Sequence, residues 1–452
     1  MIRGYKGVED VFGVQCIKSS EMDDALKLWN SISTGKPPWK NMDDDIKSIN
    51  MADFIANTRA KLTALDIGIA ISGSARADYL QGLADDLLMR LPDKLADADR
   101  LGGMLFKYNG QTWDFLLPDA FGITHMDDNG SITGAIFAIQ SSDMQCTRLE
   151  WHRFEGDTYV VTNKAFRNRM RPSGKEIVLG DPVPLSAVEE WKGMQDEVHI
   201  ANLEAPLWGF YRVPGSNIID PASPLGMPVY GRAIEELRAV DIAISRKDAE
   251  IEDSKHVTFV GQTVIKNAAV NGATLPRWVE GLGVGINDGD TSAIHEHVPT
   301  ILAEQRIKDI NFNLSMLSVK CGFSEGVFVL DGQSGMITAT QVEADDRDTV
   351  QTIKADRDAL QAAITQALMG ADALASLLKL APMGSYEVAY SFGDITYNYE
   401  EDKANWKSYA QNGWIPKWYY LVKFEKMSEE EAKQITQEAE KAGMAKGLFG
   451  EE

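Results

Sequence analysis

The sequence is poor in cysteine and contains no long apolar run. Its three cysteines, Cys16, Cys146 and Cys321, are far apart in a chain of 452 residues and fit neither a zinc-binding spacing nor a disulfide framework. A reducing compartment is therefore expected. No apolar stretch approaches the roughly 20 residues that cross a bilayer, and the first 15 residues lack the apolar core of a signal peptide. We expect neither a secreted, disulfide-rich protein nor a membrane protein.

Signatures of common enzyme classes are also missing. The sequence contains no phosphate-binding GxxxxGK[ST], no GxSxG and no HExxH. His295 and His297 lie on a predicted helix, where residues two apart point away from each other, so we interpret them as a solvated helix start. His152 alternates with apolar residues in a predicted strand and is expected to be structural or at the surface. We predict no enzyme activity, no cofactor and no metal site.

Positive charge is scarce. The net charge is −22, which makes the chain a poor general binder of nucleic acid, because such binding depends on clustered lysine and arginine. One basic cluster stands out, formed by Lys164, Arg167, Arg169, Arg171 and Lys175. It is either a contact to nucleic acid or an acidic partner, such as DNA or capsid, or a solvated hairpin that balances an acidic domain. A carboxylate-rich stretch at 393–402 lacks the EF-hand pattern and is interpreted as a solvated turn.

The first half of the chain predicts an α+β domain. Apolar residues three and four apart predict helices between residues 20 and 101, the first with a serine N-cap and a C-cap at Gly35. Short alternating runs between about 104 and 180 predict antiparallel strands, with a hairpin loop at 155–157. Residues 1–226 are therefore taken as one domain.

A long, polar helix follows a turn rich in proline and glycine. Its apolar positions repeat at alternating spacings of three and four over about 26 residues, or roughly 39 Å. The positions of this stripe are Tyr230, Ala233, Leu237, Val240, Ile244, Lys247 and Ile251. So narrow a stripe packs along one seam, either within a bundle or against a neighbouring subunit.

The remainder alternates small β and long helical segments. A β insert with an Asn-Gly turn at 271–272 precedes a predicted helix from His295 to Cys321. A glycine-rich loop leads to a longer helix, 341–380, which ends before Pro382. A strand near 383–396 and a helical tail follow, and Ser428 with Glu431 forms a capping box in that tail.

The turn and the helix that follows it resemble the portal proteins of tailed bacteriophages, in the branch typical of phages of Gram-positive hosts. The family has an Asn-x-x-Asp-x-x-Ser-Pro-Leu-Gly turn, then a helix with leucine and aspartate. The matching residues are Asn217, Asp220, Ser223, Pro224, Leu225, Gly226, Leu237 and Asp241; Ile218 stands where the family often has a second asparagine.

Four further segments resemble the family in the same order. They are "ALKLWNSISTGKPPW", "TRLEWHRFEGDTYVVTNKAF", "CGFSEGVFVLDGQSGMITATQV" and "NGWIPKW" followed by "SEEEA". Each is weak alone, but five in order across nearly the whole chain are fairly specific. Two alternatives remain open: another viral connector or tail ring protein, and a phage hydrolase that uses clustered carboxylates.

The resemblance implies a ring, usually a dodecamer, at one capsid vertex of the virion, assembled in the host cytoplasm. Double-stranded DNA would pass through the ring, and its partners would be the terminase large subunit, the major capsid protein and a neck or adaptor protein, with no membrane. The implied regions are the wing (1–226 with 383–396), the stem helices (227–255 and 295–322), the clip (256–294), the tunnel loop (323–340), the long wing helix (341–380) and the crown (400–452).

Three sets of candidate site residues follow from the resemblance. The tunnel loop contains no Lys, Arg or His between 323 and 340, so it would touch DNA with little friction. Its DNA-channel candidates are Asp331, Gly332, Gln333, Ser334, Gly335 and Met336. The candidate intersubunit stripe of the stem is Leu237, Val240, Ile244 and Ile251. The candidate docking residues of the clip are Lys266, Asn267, Asn271, Arg277 and Trp278.

Overall fold

The structure is a computed structural model, and its chain divides into two compact units, Met1–Gly393 and Asp394–Glu452. The residues it describes are 2, 5–17, 19–41, 46–170, 177–253, 257–260, 282–283, 294–297, 302–329, 347–393, 399–412, 414–425 and 427–441. The expected boundary at residue 226 does not separate compact units, because the helices beyond it share a core with the N-terminal region.

Helices make up much of the described chain. They are α1 (Val8–Phe12), α2 (Ser20–Ser33), α3 (Met51–Thr63), α4 (Ala75–Leu101), α5 (Ile234–Asp253), α6 (Ala303–Lys320), α7 (Arg347–Leu377), α8 (Tyr399–Gln411), α9 (Lys417–Glu425) and α10 (Glu429–Lys441). The cap predicted for α2 is confirmed: the Ser19 hydroxyl accepts a hydrogen bond from the Met22 N–H.

The strands up to residue 212 form two sheets and part of a third. They are β1 (Tyr5–Lys6), β2 (Gly68–Ser72), β3 (Gly103–Tyr108), β4 (Trp113–Leu116), β5 (Phe121–Met126), β6 (Ile132–Gln140), β7 (Cys146–Glu155), β8 (Thr158–Met170), β9 (Ile177–Val183), β10 (Glu197–Ala201) and β11 (Gly209–Arg212). The later strands are β12 (Val257–Val260), β13 (Leu282–Gly283), β14 (Ile294–His297) and β15 (Glu387–Ser391). The fold is therefore mixed α and β, as predicted.

The largest sheet has the order β1-β9-β8-β7-β6-β5, with β10 paired to β8. Neighbouring strands run antiparallel except β1, which is parallel to β9. The hairpin predicted at 155–157 is confirmed, since β7 and β8 pair directly across Gly156, whose φ is 61°. Local alternation and turn residues were enough to predict β6, β7, β8 and β9, whereas β1 and β10 lie outside the range predicted as strands.

A smaller sheet, β11-β3-β4, packs against α7. The approach is close at Gly209, where a Cβ would lie 1.9 Å from the carbonyl oxygen of Ala363 on the helix. Glycine there lets the backbone of β11 touch the backbone of α7. The segment predicted as a strand near 383–396 is β15, and it pairs with β2 at the other end of the sequence.

One large core joins α3–α7 and the sheet β11-β3-β4. Buried leucines of α4, among them Leu80, Leu87 and Leu91, belong to this cluster together with apolar residues of α5, α6 and α7. A second core lies between α2 and the large sheet, around Trp29 and Trp208. Helices from three separate stretches of the chain therefore complete the core of the N-terminal region.

Three predicted helix boundaries are corrected. The first long helix begins at Ile234 rather than near 229, because turns bonded to the carbonyls of Pro228 and Tyr230 precede it. The second begins at Ala303 rather than His295, because Ile294–His297 pair with β12 as an antiparallel strand. The interpretation of His295 and His297 as a helix start is thus wrong. The longest helix ends at Leu377 rather than near 380, and residues 341–346 of its predicted span lie outside the described residues.

The second unit is helical, as the tail was predicted to be. Its described helices α8, α9 and α10 enclose a small core around Tyr420, Leu421 and Phe424. The indole of Trp406 stacks on Tyr419 at 5.7 Å. The Ser428 hydroxyl accepts a hydrogen bond from the Glu431 N–H at 3.3 Å, which confirms the predicted cap.

Candidate functional site

The turn at 217–226, called the junction turn below, is built around the buried side chain of Asn217. The Asn217 carbonyl accepts hydrogen bonds from the N–H groups of Ile219 and Asp220 at 2.9 and 3.2 Å. Its amide donates to the Leu225 carbonyl at 3.1 Å. Asp220 in turn accepts from Ala222 N–H at 3.1 Å. Asparagine and aspartate at these positions replace the regular backbone partners that a turn lacks.

The junction turn lies directly on the end of α4. A Cβ at Gly226 would be 2.3 Å from the Gly102 carbonyl oxygen, and a Cβ at Gly102 would be 2.4 Å from that of Gly226. Gly102 ends α4 with a φ of 89°, in the left-handed region that favours glycine. The two glycines therefore fix how the chain leaves the N-terminal region.

Two side chains then hold the start of α5. The Tyr230 hydroxyl lies 3.0 Å from the carbonyl oxygens of Trp29 and of Arg100. The buried carboxylate of Asp241 accepts from the Trp39 indole N–H at 2.9 Å and from the Ile49 N–H at 3.1 Å. The residues that carry the sequence resemblance thus form one structural joint between α2, α4 and α5.

Helices α5 and α6 are antiparallel neighbours. Glu236 pairs with Lys320, and Glu250 pairs with Arg306 at 2.7 Å. The two pairs are separated by 14 residues along α5 and by 14 residues along α6, in opposite chain directions, so the helices are antiparallel. At 1.5 Å per residue this separation is about 21 Å. The ion pairs border an apolar seam in which α5 packs on α6.

The predicted intersubunit stripe is divided by this packing. Leu237 and Val240 are buried within the single chain, and Ile244 is partly buried against the same core. Of the four candidates only Ile251 is exposed, at 51%. The upper part of the stripe is therefore an internal seam, because α6 and the segment around Trp39 already cover it.

A second apolar stripe, which the sequence analysis missed, lies on α6. Phe312, Met316 and Val319 are 65%, 39% and 52% exposed. They are spaced by four and three residues, so they share one face of the helix. The buried stripe of the same helix, Ile310, Leu314 and Leu317, lies about 180° around the axis at 3.6 residues per turn. We call the exposed set the α6 outer stripe.

The start of the expected tunnel loop is packed rather than free. Phe323 and Phe328 are buried and contact each other, with ring centroids 5.0 Å apart. Phe323, Ser324 and Phe328 are therefore anchored in the core, while residues 325–327 between them are exposed. The DNA-channel candidates Asp331–Met336 and the clip candidates Lys266, Asn267, Asn271, Arg277 and Trp278 lie outside the described residues.

The described part of the basic cluster is partly neutralised. Lys164 donates to the Val11 carbonyl at 2.9 Å and lies over the ring of Phe12. Arg169 pairs with Asp181 at 2.7 Å, and Arg167 is exposed. Arg171 and Lys175 lie outside the described residues. The described residues of the cluster lie on β8, which is paired on both sides in the large sheet, and both original interpretations of the cluster remain open.

A buried charge network centres on Glu150 in β7. This carboxylate contacts Lys107 and His152 through one oxygen and Arg148, at 3.0 Å, through the other. Burial alone would raise the pKa of Glu150, but Lys107, His152 and Arg148 hold it well below its usual value. His152 Nδ1 also forms a hydrogen bond with Tyr159 Oη, 2.9 Å away. Burial lowers the pKa of His152. His152 is thus structural, as predicted.

A second buried network joins α3, α4 and α7. Arg59 makes two hydrogen bonds to Asp356, at 2.6 and 2.8 Å, and a third to the Cys321 carbonyl. Asp99, also buried, accepts from the Tyr211 hydroxyl at 3.3 Å, and its other oxygen has no partner. Burial and then the Asp356 carboxylate raise the pKa of Asp99 well above its usual value. The buried site therefore favours the protonated form of Asp99 up to a higher pH than water does.

Replacing Asp99 by asparagine, which mimics the protonated carboxyl, is expected to stabilise the fold increasingly as pH rises. In the unfolded chain Asp99 ionises near pH 3.9, whereas in the folded protein it keeps its proton to a higher pH, so the wild type loses stability as pH rises between these two pKa values. Between about pH 4 and the raised pKa, the advantage of the variant should grow by about 1.4 kcal/mol per pH unit. Urea unfolding at several pH values measures it; a difference that does not change with pH contradicts the assignment.

Metal binding and membrane insertion were the two other roles considered for the described residues. No group of three or more His, Cys, Asp or Glu in the described part of the chain is placed to hold a metal ion. No described helix is long and apolar enough to cross a membrane. Comparison with protein-family models and with curated protein sequences gives no match for this chain.

Proposed function

We propose that the chain is the subunit of a phage portal ring, a channel at one capsid vertex through which double-stranded DNA is packaged, retained and ejected. The terminase large subunit, and later a neck or adaptor protein, would dock on it, and the major capsid protein would surround it. The sequence resemblance supports this proposal, because five segments follow the family order. The residues of its most specific segment hold the joint from which α5 leaves the N-terminal region.

The α6 outer stripe carries the proposal. A helix that is apolar on two opposite faces needs two partners, and within the described chain the core covers only one face of α6. A neighbouring subunit is the simplest cover for the other face. In a portal ring this stripe would meet a different surface of the next copy, and such a heterologous contact closes a ring when its rotation divides a full turn.

The ring would serve as a passage for DNA and would not catalyse a reaction. Glu150 and Asp356 use their carboxylate oxygens on buried cations, and Asp99 is enclosed in the core. The chain carries a net charge of −22, so an assembled ring would repel DNA from most of its surface and keep binding weak. Such a surface suits a conduit that DNA must cross in both directions.

Replacing Phe312 by glutamate is expected to abolish the ring while leaving the fold intact. A charge on the α6 outer stripe would be desolvated in the intersubunit contact, but it stays in water in the single chain. Native mass spectrometry and negative-stain microscopy measure the outcome. Twelve copies of the 49.9 kDa chain give a wild-type mass of about 600 kDa, and the variant should be monomeric.

Met89→Glu is the matched control, because Met89 is an exposed apolar residue, 75% exposed, on a different helix. It should assemble like the wild type, and circular dichroism should be unchanged for both variants. A wild-type chain that stays monomeric at high concentration argues against the portal assignment. A normal ring from Phe312→Glu argues that another surface forms the contact.

A further inference from the structure

A cavity of about 420 Å³ lies behind the junction turn. Its walls come from the β5–β6 turn, the junction turn, β11 and α7. The polar side chains among its lining residues are Asn129, Ser131, Arg212, Ser223 and Gln366, and Trp208 adds an indole. Of the described residues that line it, Arg212 alone carries a charge.

Arg212 is a cation that the described chain does not neutralise. Its Nε is buried and has no hydrogen-bond partner, and no described carboxylate forms an ion pair with it. Burial lowers the pKa of Arg212, and no carboxylate contributes to raise it again. Arg212 is half-buried, whereas the fully buried cations Arg59, Lys107 and Arg148 each pair with a carboxylate.

A second donor in the same wall is also unused. Trp208 is fully buried, and its indole N–H has no hydrogen-bond partner. The junction turn places these groups, since Gly226 leaves room for the aliphatic part of Arg212, whose Cγ would lie 3.2 Å from a Cβ there. The Trp208 N–H has no accessible surface, so the neutral donors that a ligand in the cavity can reach are the hydroxyl and amide groups of Ser131, Ser223, Asn129 and Gln366. Together with the charge of Arg212 they match a ligand with one negative charge and two acceptor oxygens.

We propose that this cavity binds a carboxylate group through Arg212. The carboxylate is either that of a small organic acid or an aspartate or glutamate side chain of a second copy of the chain. A phosphate dianion fits less well, because one guanidinium would neutralise only half of its charge. The proposal does not depend on the portal assignment, since it rests on the cavity of the single chain.

Saturation-transfer difference NMR with acetate on the full-length protein tests whether the cavity binds a small organic acid. The wild type should transfer saturation to the acetate methyl, and acetamide, which lacks the charge, should bind much less. Arg212→Gln should weaken acetate binding about tenfold or more, because a charge-assisted hydrogen bond is lost. Arg169→Gln, which removes an exposed arginine outside the cavity, is the matched control and should bind acetate like the wild type.

A carboxylate side chain from a second copy of the chain would give a different result. If a second copy fills the cavity, the assembled protein shows no acetate signal, and Arg212→Gln shifts the mass distribution to smaller species while Arg169→Gln does not. Equal acetate binding by both variants, or no acetate binding together with unchanged assembly in both, overturns the proposal.

Gln366→Glu tests the cavity without removing the arginine. Gln366 lines the same cavity from α7, so a glutamate there should pair with Arg212 and compete with the external carboxylate. The expected results are loss of acetate binding and a raised melting temperature. The gain in melting temperature should vanish in the Arg212→Gln/Gln366→Glu double variant. Full acetate binding by Gln366→Glu would show that the carboxylate does not enter this cavity.

Discussion

Replacing Glu150 by glutamine is expected to lower the free energy of unfolding by about 3–5 kcal/mol, because it leaves buried cations without a counter-charge. Lys107 and Arg148 are both more than nine-tenths buried, and Glu150 is their shared carboxylate partner. Glutamine keeps the shape and one acceptor, so the loss reports on charge rather than on a cavity. Urea unfolding at neutral pH measures it.

Glu155→Gln is the matched control for Glu150→Gln. Glu155 lies on the same strand and pairs with Arg153, but its side chain is 53% exposed. An exposed pair contributes at most about 1 kcal/mol, so the control should unfold almost like the wild type. If the two variants lose similar amounts of stability, water reaches the Glu150 network and the network is not the closed cluster that the geometry indicates.

The features that were predicted correctly depend on neighbours in the sequence. The pairing of β7 with β8 follows from alternating residues around one short turn, and the caps at Ser19 and Ser428 follow from residues three positions away. Such signals lie within one helical turn or one hairpin. These elements form as predicted because tertiary contacts stabilise the same local structure that the neighbouring residues favour.

The boundary errors come from partners that are distant in the sequence. His295 and His297 belong to a strand because that segment pairs with β12, which a local helical pattern does not reveal. Leu237 and Val240 have the spacing of a helical seam, which looks the same whether the partner is α6 or another subunit. Only the position of α6 in the fold decides that this part of the stripe is internal.

The candidate site shows both cases. The α6 outer stripe was visible in the sequence as a spacing of four and three residues at Phe312, Met316 and Val319, opposite the stripe that is buried. Arg212 gave no such signal, because a single arginine in a strand is ordinary. Its importance arises from the cavity beside it and from the absence of a carboxylate partner among the described residues, and both are properties of the folded chain.

Replacing Arg59 by methionine is expected to destabilise the protein by about 3–5 kcal/mol, because Asp356 would then be a buried carboxylate with no cation. Asp356 is fully buried, and Arg59 meets both of its oxygens. The pair joins residues 297 positions apart and holds α3 against α7. Arg90→Met is the control, since Arg90 pairs with Asp86 on an exposed face of α4, and its loss should cost at most about 1 kcal/mol.

The double variant Arg59→Met/Asp356→Leu separates charge from packing. Removing both members of a buried ion pair is often neutral or stabilising, so the double variant should regain most of the stability that Arg59→Met loses. Recovery measured by urea unfolding would assign the loss to the unpaired Asp356 carboxylate. A double variant as unstable as Arg59→Met would instead mean that the arginine is needed for its hydrogen bond to the Cys321 carbonyl, where α6 ends.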